Sequence, residues 1–218
     1  MALTEHSSPP SRMPAEERRK QLIEVAIDLF SKKGFGGTTT REIAAAAGVT
    51  EAIIFRHFAT KQDLYTAILD FIGHSTGVGQ WIAEAESFMS RNDDEGLFRC
   101  IVSKVIDSNR RDARFERLMI HAALEGHELA VMHHNQMTEA IGVRMTDYVG
   151  ARQQAGALRE CDPTTILFAV VGVGYFFAMH KYMHQLGGAP NLSDEQMIDS
   201  FVAILMQGLK GNTRGNQQ

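Results

Sequence analysis

The distribution of proline constrains the fold of this chain more than any other feature of its sequence. Pro14 is followed by no further proline until Pro163. Proline is the strongest helix breaker, and the stretch between these two residues shows no convincing apolar and polar alternation of strand length. Residues 1–13, in contrast, are rich in serine and proline, which is typical of a disordered arm. The pattern therefore predicts an all-α protein whose first helix begins near residue 14.

The order of helix starts and stops in the first quarter predicts a helix-turn-helix unit. A first helix over 14–33 ends at Gly34, a residue type that favours the left-handed conformation of a helix stop. Thr39 and Glu42 have the spacing of a capping box, which opens a second, short helix. The chain then turns at Gly48 before a third helix over 51–58, which Thr50 can cap. Two short helices joined by a tight turn and packed on a longer one make a helix-turn-helix.

Composition indicates a globular protein whose positive charge lies near its amino terminus. The 218 residues are 44% hydrophobic and 22% charged, and the net charge of −4 excludes a broadly basic coat for nucleic acid. Residues 12–61 nevertheless carry nine Lys and Arg against six Asp and Glu, so a polyanion-binding surface is expected there. The two cysteines, Cys100 and Cys161, are too few for a disulfide framework, and the amino terminus lacks the apolar segment of a signal peptide.

The larger, carboxyl-terminal part also has a helical pattern. A fourth helix begins near Lys61, Asp162 and Pro163 have the pattern of a helix start, and a second capping box begins at Ser193. The predicted spans are 78–90, 93–108, 111–125, 128–154, 163–186 and 194–210. The strictly apolar stretch 166–179 is shorter than the roughly 20 residues that a membrane span needs. We therefore interpret it as part of a buried helix, and no membrane segment is predicted.

Four motifs in residues 20–64 occur together at a characteristic spacing. They are F-x-x-x-G-F at 30–35, three threonines at 38–40, I-A-x-x-A-G-V at 43–49, and a tail over 58–64 that contains Lys61. Together they resemble the DNA-binding domain of the tetracycline-repressor-like (TetR) transcriptional regulators. The resemblance implies that the third helix lies lengthwise in a major groove, supported by the second.

The same resemblance implies a set of DNA contacts. Ala52 and Ile53 would offer apolar contact to a thymine methyl group, Arg56 could pair with guanine, and Lys61 would clamp a phosphate. The implied DNA-binding residues are Thr40, Arg41, Thr50, Glu51, Ala52, Ile53, Phe55, Arg56, His57 and Lys61.

Two of these positions are unusual. TetR proteins usually carry tyrosine where Phe55 stands, and the tyrosine hydroxyl reaches a phosphate, so this chain lacks that hydroxyl. Glu51 would repel phosphate unless it accepts a hydrogen bond from a cytosine amine. The alternative interpretation of Glu51 is an exposed charge that suits the first turn of a helix.

The apolar helices of the larger part predict assembly and a cavity. A helix without a polar face is buried on all sides, and two such helices exceed what a monomer of this size encloses. We therefore expect a four-helix interface between two copies, and the resemblance implies the same homodimer and a small-molecule effector pocket among the middle helices. The predicted interface residues are Gly174, Phe177, Phe201 and Leu205. The predicted effector-binding residues are Trp81, Met89, Phe98, Met119, His121, Met132, Met137, Phe168, Tyr175 and Met179, with His121 and Tyr175 as the polar anchors.

The sequence thus predicts an arm over 1–13, a helix-turn-helix DNA-binding domain over 14–60, and a helical ligand-binding and dimerisation domain over 61–218. The expected protein is a cytoplasmic regulator, a repressor rather than an activator. It would bind an inverted-repeat operator in double-stranded DNA as a homodimer and be released by a small apolar or aromatic ligand. No catalytic residue, cofactor or metal is predicted. The alternatives are an enzyme or metal-binding protein built on a helical bundle, with His180 and His184 as the candidate pair, and a non-specific architectural DNA binder.

Overall fold

Helices account for the regular structure of the chain in a computed structural model that describes residues 13–75, 77–183 and 192–211. The predicted all-α class is confirmed, and residues 1–12 of the predicted arm lie outside the described residues. The amino-terminal helices are α1 (Ala15–Lys33), α2 (Thr40–Ala46), α3 (Glu51–His57) and α4 (Lys61–Ser75). They are followed by α5 (Val78–Ser90), α6 (Asp94–Arg111), α7 (Arg114–Leu124), α8 (Glu128–Met137), α9 (Val143–Gln154), α10 (Pro163–Ala178) and α11 (Asp194–Leu209).

Local hydrogen bonds set two of the predicted helix starts, whereas the Thr50 side chain makes no cap hydrogen bond at the start of α3. The Thr39 side chain accepts from the Glu42 amide and the Glu42 carboxylate accepts from the Thr39 amide, so the predicted capping box of α2 is confirmed. Ser193 and Gln196 make the same reciprocal pair at the start of α11. Gly34 ends α1 with φ 71° and ψ 177°, a conformation that is essentially restricted to glycine.

Two predicted long helices contain a π-helical segment. The span predicted over 128–154 runs through α8, a π turn at 138–142 and α9. The span predicted over 163–186 is α10 followed by a π turn at 179–183, and its last residues lie outside the described part of the chain. A π turn inserts an extra residue into the helical ladder, which residue periodicity alone does not reveal.

The interior consists of two apolar clusters. One contains the buried faces of α1–α4 together with α7 and the start of α8, and the other is formed by α5, α6, α9, α10 and α11. We call α1–α4 the head. Because α7 packs along α1, the head shares its core with the larger part of the protein. The predicted boundary at residue 60 therefore remains a prediction.

The stretch Pro163–Met183 is long and apolar enough to cross a membrane by length and composition. It begins with the Asp162 side chain accepting from the Thr164 amide, and α10 packs along α6. Core helices of soluble proteins pass the same test. Only 28% of its most apolar part is buried within the protomer, which leaves an apolar face uncovered.

Candidate nucleic-acid interface

One face of α3 anchors this helix in the head. Ile54 and Phe58 are buried in the first apolar cluster. Arg19 of α1 donates to the His57 carbonyl at 3.0 Å, and its guanidinium lies 4.3 Å from the centroid of the Phe58 ring. These contacts satisfy a carbonyl at the end of α3 and fix the helix against α1.

The opposite face of α3 is open to solvent. Ala52, Phe55 and Arg56 are exposed, with Phe55 at 49%, and they fall on one side because Phe55 and Arg56 lie three and four positions after Ala52. Thr50 and Arg41 are exposed beside them. A ring and a guanidinium presented on a short, anchored helix match what a major groove accepts.

Ile53 and His57 line a depression of about 490 Å³ between α3 and the start of α1, together with Arg18 and Arg56. Burial lowers the pKa of His57, and the charges of Arg56 and Arg19 lower it further. His57 therefore carries less positive charge at neutral pH than a free histidine, and its imidazole is better suited to hydrogen bonding than to phosphate neutralisation.

Thr40 and Glu51 are joined by a hydrogen bond that links the starts of α2 and α3. The Thr40 hydroxyl donates to Oε1 of Glu51, and both side chains are half-buried. A hydroxyl has a single proton to donate, so this bond competes with donation to a phosphate.

Lys61 points back into the head. Its ammonium lies 3.9 Å from the centroid of the Phe35 ring and donates to the Phe35 carbonyl. Burial lowers the pKa of Lys61, although the Glu125 and Glu42 carboxylates oppose that effect. The structure therefore has Lys61 stabilise the turn between α1 and α2, and its side chain is not part of the exposed face of α3.

Residues 22–68 match the family model described as bacterial regulatory proteins, tetR family. This segment contains α2 and α3 whole, the second part of α1 and the first part of α4. The chain carries a TetR-family DNA-binding domain. The resemblance seen in residues 20–64 is confirmed.

Known proteins resemble the chain over different lengths. The HTH-type transcriptional regulator YvkB of Bacillus subtilis is 24% identical over 88% of this chain and 97% of its own. TtgR of Pseudomonas putida is 36% identical, and that match spans 48% of each chain. The crystal structure of AibR with isovaleryl coenzyme A and operator DNA superposes with a TM-score of 0.56 at 23% identity, over 87% of this chain and 98% of that one. At that identity the superposition establishes the fold.

A group of contacts, which we call the clasp, joins the TetR head to the turn between α7 and α8. The Glu125 carboxylate accepts from the amides of Phe35 at 3.1 Å and Gly36 at 3.4 Å. The His127 ring lies 4.5 Å from the Phe35 ring and 4.6 Å from the Tyr65 ring, measured between centroids. Gly34 has φ +71°, and a Cβ atom there would lie 1.9 Å from a Glu125 oxygen, so a larger residue would displace the Glu125 carboxylate. The clasp fixes the orientation of the head relative to α7.

The predicted effector residues are divided between the two apolar clusters. Met119 and Met132 belong to the cluster that includes the head, and Trp81, Met89, Phe98 and Met137 belong to the other. Phe168 is 71% exposed on the outer face of α10, and Met179 is half-buried in the π turn.

The polar groups in this region differ in their surroundings. The indole nitrogen of Trp81 is buried without a hydrogen-bond partner among the described residues. Burial and then the Glu116 carboxylate raise the pKa of Tyr175, and His121 lies beside Gly34, with its Nδ1 3.3 Å from where a Cβ would stand. The assignment of these residues to an effector remains a prediction.

Three of the four predicted interface residues pack inside the protomer. Phe177 and Leu205 are buried, and a Cβ atom at Gly174 would lie 3.3 Å from the Val102 carbonyl oxygen of α6. Phe201 is half-buried at the edge of an apolar groove of about 400 Å³. The exposed apolar face of this region is the neighbouring one, formed by Phe168, Gly172, Phe176 and Ile204.

The sequence reasoning missed the residues that hold the interface in place. Arg19, Glu125 and His127 act through contacts with residues 38 or more positions away. Their residue types carry no local signal for such contacts. Gly34 is the one local sign of the clasp, because a residue without a Cβ atom permits the close approach of another group.

Proposed function

We propose that this protein is a homodimeric, ligand-responsive transcriptional regulator that represses genes by binding an inverted repeat in double-stranded DNA. It works without enzymatic activity and in the cytoplasm. The observation that carries the proposal is the match of residues 22–68 to the TetR head, combined with an anchored α3 whose outer face is open. Relatives named as transcriptional regulators support it.

The uncovered face of α10 and α11 supports dimerisation. Phe168, Gly172 and Phe176 are spaced four residues apart on α10, and the groove beside them extends to Phe201. A second copy related by a two-fold axis would cover this groove with the same residues, as a self-complementary interface requires. Two heads would then address half-sites one or more helical turns apart.

The clasp supports control of DNA binding by an effector. A ligand changes DNA affinity only if it binds the two orientations of the head with different affinities. Glu125 and His127 connect the end of α7 directly to the α1–α2 turn and α4. A shift of α7 around an apolar ligand would therefore change the angle of the heads. AibR, which has this fold, has been crystallised with both isovaleryl coenzyme A and operator DNA, so a protein of this fold binds both kinds of partner.

Arg41 provides a direct test of DNA binding. Its side chain is exposed at the start of α2, and no ion pair with it is present among residues 13–75, 77–183 and 192–211. Arg41→Ala should weaken binding to all duplexes alike, because a phosphate contact carries no sequence information. A dimer loses two such contacts, so the slope of log affinity against log salt should flatten by about two.

The measurement is fluorescence anisotropy on the DNA adjoining the coding sequence, at several salt concentrations. Arg91→Ala is the matched control, since it removes the same charge from an exposed position at the end of α5. An Arg41→Ala protein with unchanged affinity and slope would refute the phosphate contact. Equal affinity of the natural protein for random duplexes and for an inverted repeat would indicate the architectural alternative.

A further inference from the structure

We propose that Glu51 reads a cytosine in each operator half-site and that Thr40 positions the Glu51 carboxylate for this contact. The inference rests on the proposed DNA-binding function and adds a specificity-determining residue to it. Glu51 thus acts as a cytosine contact and not merely as an exposed charge in the first turn of a helix.

Glu51 lies at the border of the open face of α3, and its side chain is half-buried. It lies one turn before Phe55 and next to Ala52, both of which are exposed. Residues at i and i+4 of a helix share a face, so Glu51 and Phe55 address the same side of the groove. Ile54, three positions after Glu51, is fully buried and anchors the helix, so Glu51 stands between the anchored face and the open face.

The hydrogen bond from Thr40 restricts the carboxylate. The Thr40 hydroxyl donates to Oε1, across the turn between α2 and α3. In the described ranges 13–75, 77–183 and 192–211, no Lys or Arg forms an ion pair with Glu51, and no hydrogen bond reaches Oε2. One oxygen is therefore held by the protein while the other keeps its capacity to accept a proton donor.

The chemistry of the base edges selects the partner. In the major groove, guanine presents two acceptors and thymine presents an acceptor and a methyl group, none of which can donate to a carboxylate. Adenine offers an amine, but its neighbouring N7 acceptor would repel the second oxygen. Cytosine offers its N4 amine without an adjacent acceptor, so a carboxylate at this position favours cytosine.

An unpaired carboxylate beside a phosphate backbone weakens binding to every sequence unless a base amine compensates. Sites that lack the amine carry this penalty uncompensated. Glu51 therefore discriminates by disfavouring the wrong sites as well as by favouring the right one. A well-formed base contact discriminates by roughly tenfold.

The experiment is selection from a library of random double-stranded DNA, followed by measured affinities for the selected repeat and its single-base variants. The natural protein should enrich an inverted repeat with one cytosine per half-site preferred about tenfold at the position that Glu51 reads. Glu51→Ala should remove that preference. Glu51→Gln should move it towards adenine, because a carboxamide pairs with the adenine N6 and N7 edge.

Thr40 is tested as a positioning residue with a conservative pair of variants. Thr40→Val removes the hydroxyl at nearly constant volume and should reduce the cytosine preference severalfold, whereas Thr40→Ser keeps the hydroxyl and should retain it. Glu95→Gln is the control for loss of one negative charge, since Glu95 is exposed in the first turn of α6. Circular dichroism melting of each variant establishes that it is folded.

The outcomes separate the inference from the function on which it rests. An enriched repeat with the same base preference in Glu51→Ala overturns the role of Glu51 while the DNA-binding function stands. The role of Glu51 is also overturned if Glu51→Ala binds all sequences more tightly by the same factor and keeps the base preference. In that case the Glu51 carboxylate would only repel phosphate. Failure of the natural protein to enrich any inverted repeat overturns both.

Discussion

At the scale of single residues, Phe55 lacks the hydroxyl that a tyrosine would present at the same position of α3. Its ring is 49% exposed on the outer face of α3, but it carries no hydroxyl. Phe55→Tyr should tighten operator binding by roughly tenfold, because the added hydroxyl can donate to a phosphate and hydrogen bonds to charged groups are the stronger kind. The salt slope should stay unchanged, since the hydroxyl is neutral.

Fluorescence anisotropy at fixed salt checks this expectation. Phe55→Leu is the control, because it keeps an apolar side chain and adds no donor. The same affinity for Phe55→Tyr and the natural protein would mean that the ring edge does not approach a phosphate.

At the scale of elements, α2 depends on the group that opens it. Glu42 accepts from the Thr39 amide at 2.8 Å and from Lys33 at 2.8 Å. Lys33 first, and then Thr39, lower the pKa of Glu42 from 4.5 to about 2. A pKa that is lower in the folded state means that the contribution of Glu42 to stability is complete above pH 4.5 and is lost as the pH falls towards 2.

Glu42→Gln should therefore unfold at lower urea concentration than the natural protein at pH 7, and the difference should shrink between pH 4.5 and pH 2. Urea titrations followed by circular dichroism measure it. Glu17→Gln changes the same charge at an exposed position in the first turn of α1 and should show little of this pH dependence. A stability difference that stays constant across that pH range would disprove the role of the Glu42 charge.

At the scale of the whole molecule, the proposed dimer pairs two heads, and DNA binding should depend on that pairing. Phe176 is 67% exposed on the outer face of α10, where we place the partner copy. Phe176→Asp should shift the mass measured by sedimentation from dimer to monomer, because a carboxylate would be buried in an apolar interface. Operator affinity should fall by about a hundredfold, since the avidity of two linked heads is lost.

Leu124→Asp is the matched control for this substitution. Leu124 is 82% exposed at the end of α7, away from the α10 groove, so the dimer should persist. A Phe176→Asp protein that still sediments as a dimer would place the interface on another face.

The sequence predicted most accurately the features that depend on neighbouring residues. The capping boxes at Thr39 and Ser193 join side chains and amides three positions apart, so their spacing can be read directly. The same holds for the stop at Gly34, which requires a backbone conformation that glycine adopts. The TetR motifs are local in the same sense, and all of them lie within 45 consecutive positions.

Neighbouring residues could not predict which face of each helix in the larger part points outward. The helix α10 is apolar nearly all round, so its sequence has no polar side that would mark the outer face. Packing against α6 turns Gly174 and Phe177 inward and leaves Phe168 and Phe176 outside. The predicted interface residues therefore lie mostly on the face that the protomer itself covers.

The sequence by itself determined the helical class and the helix-turn-helix, because these follow from hydrogen bonds and side-chain spacing within a few turns. Only the tertiary structure decided that Glu125 and His127 hold the head, that Lys61 turns inward, and that Thr40 holds Glu51. These contacts join residues far apart along the chain or across a turn. Their geometry exists only once the helices have packed, since apolar burial brings the elements together without specifying which polar groups will meet.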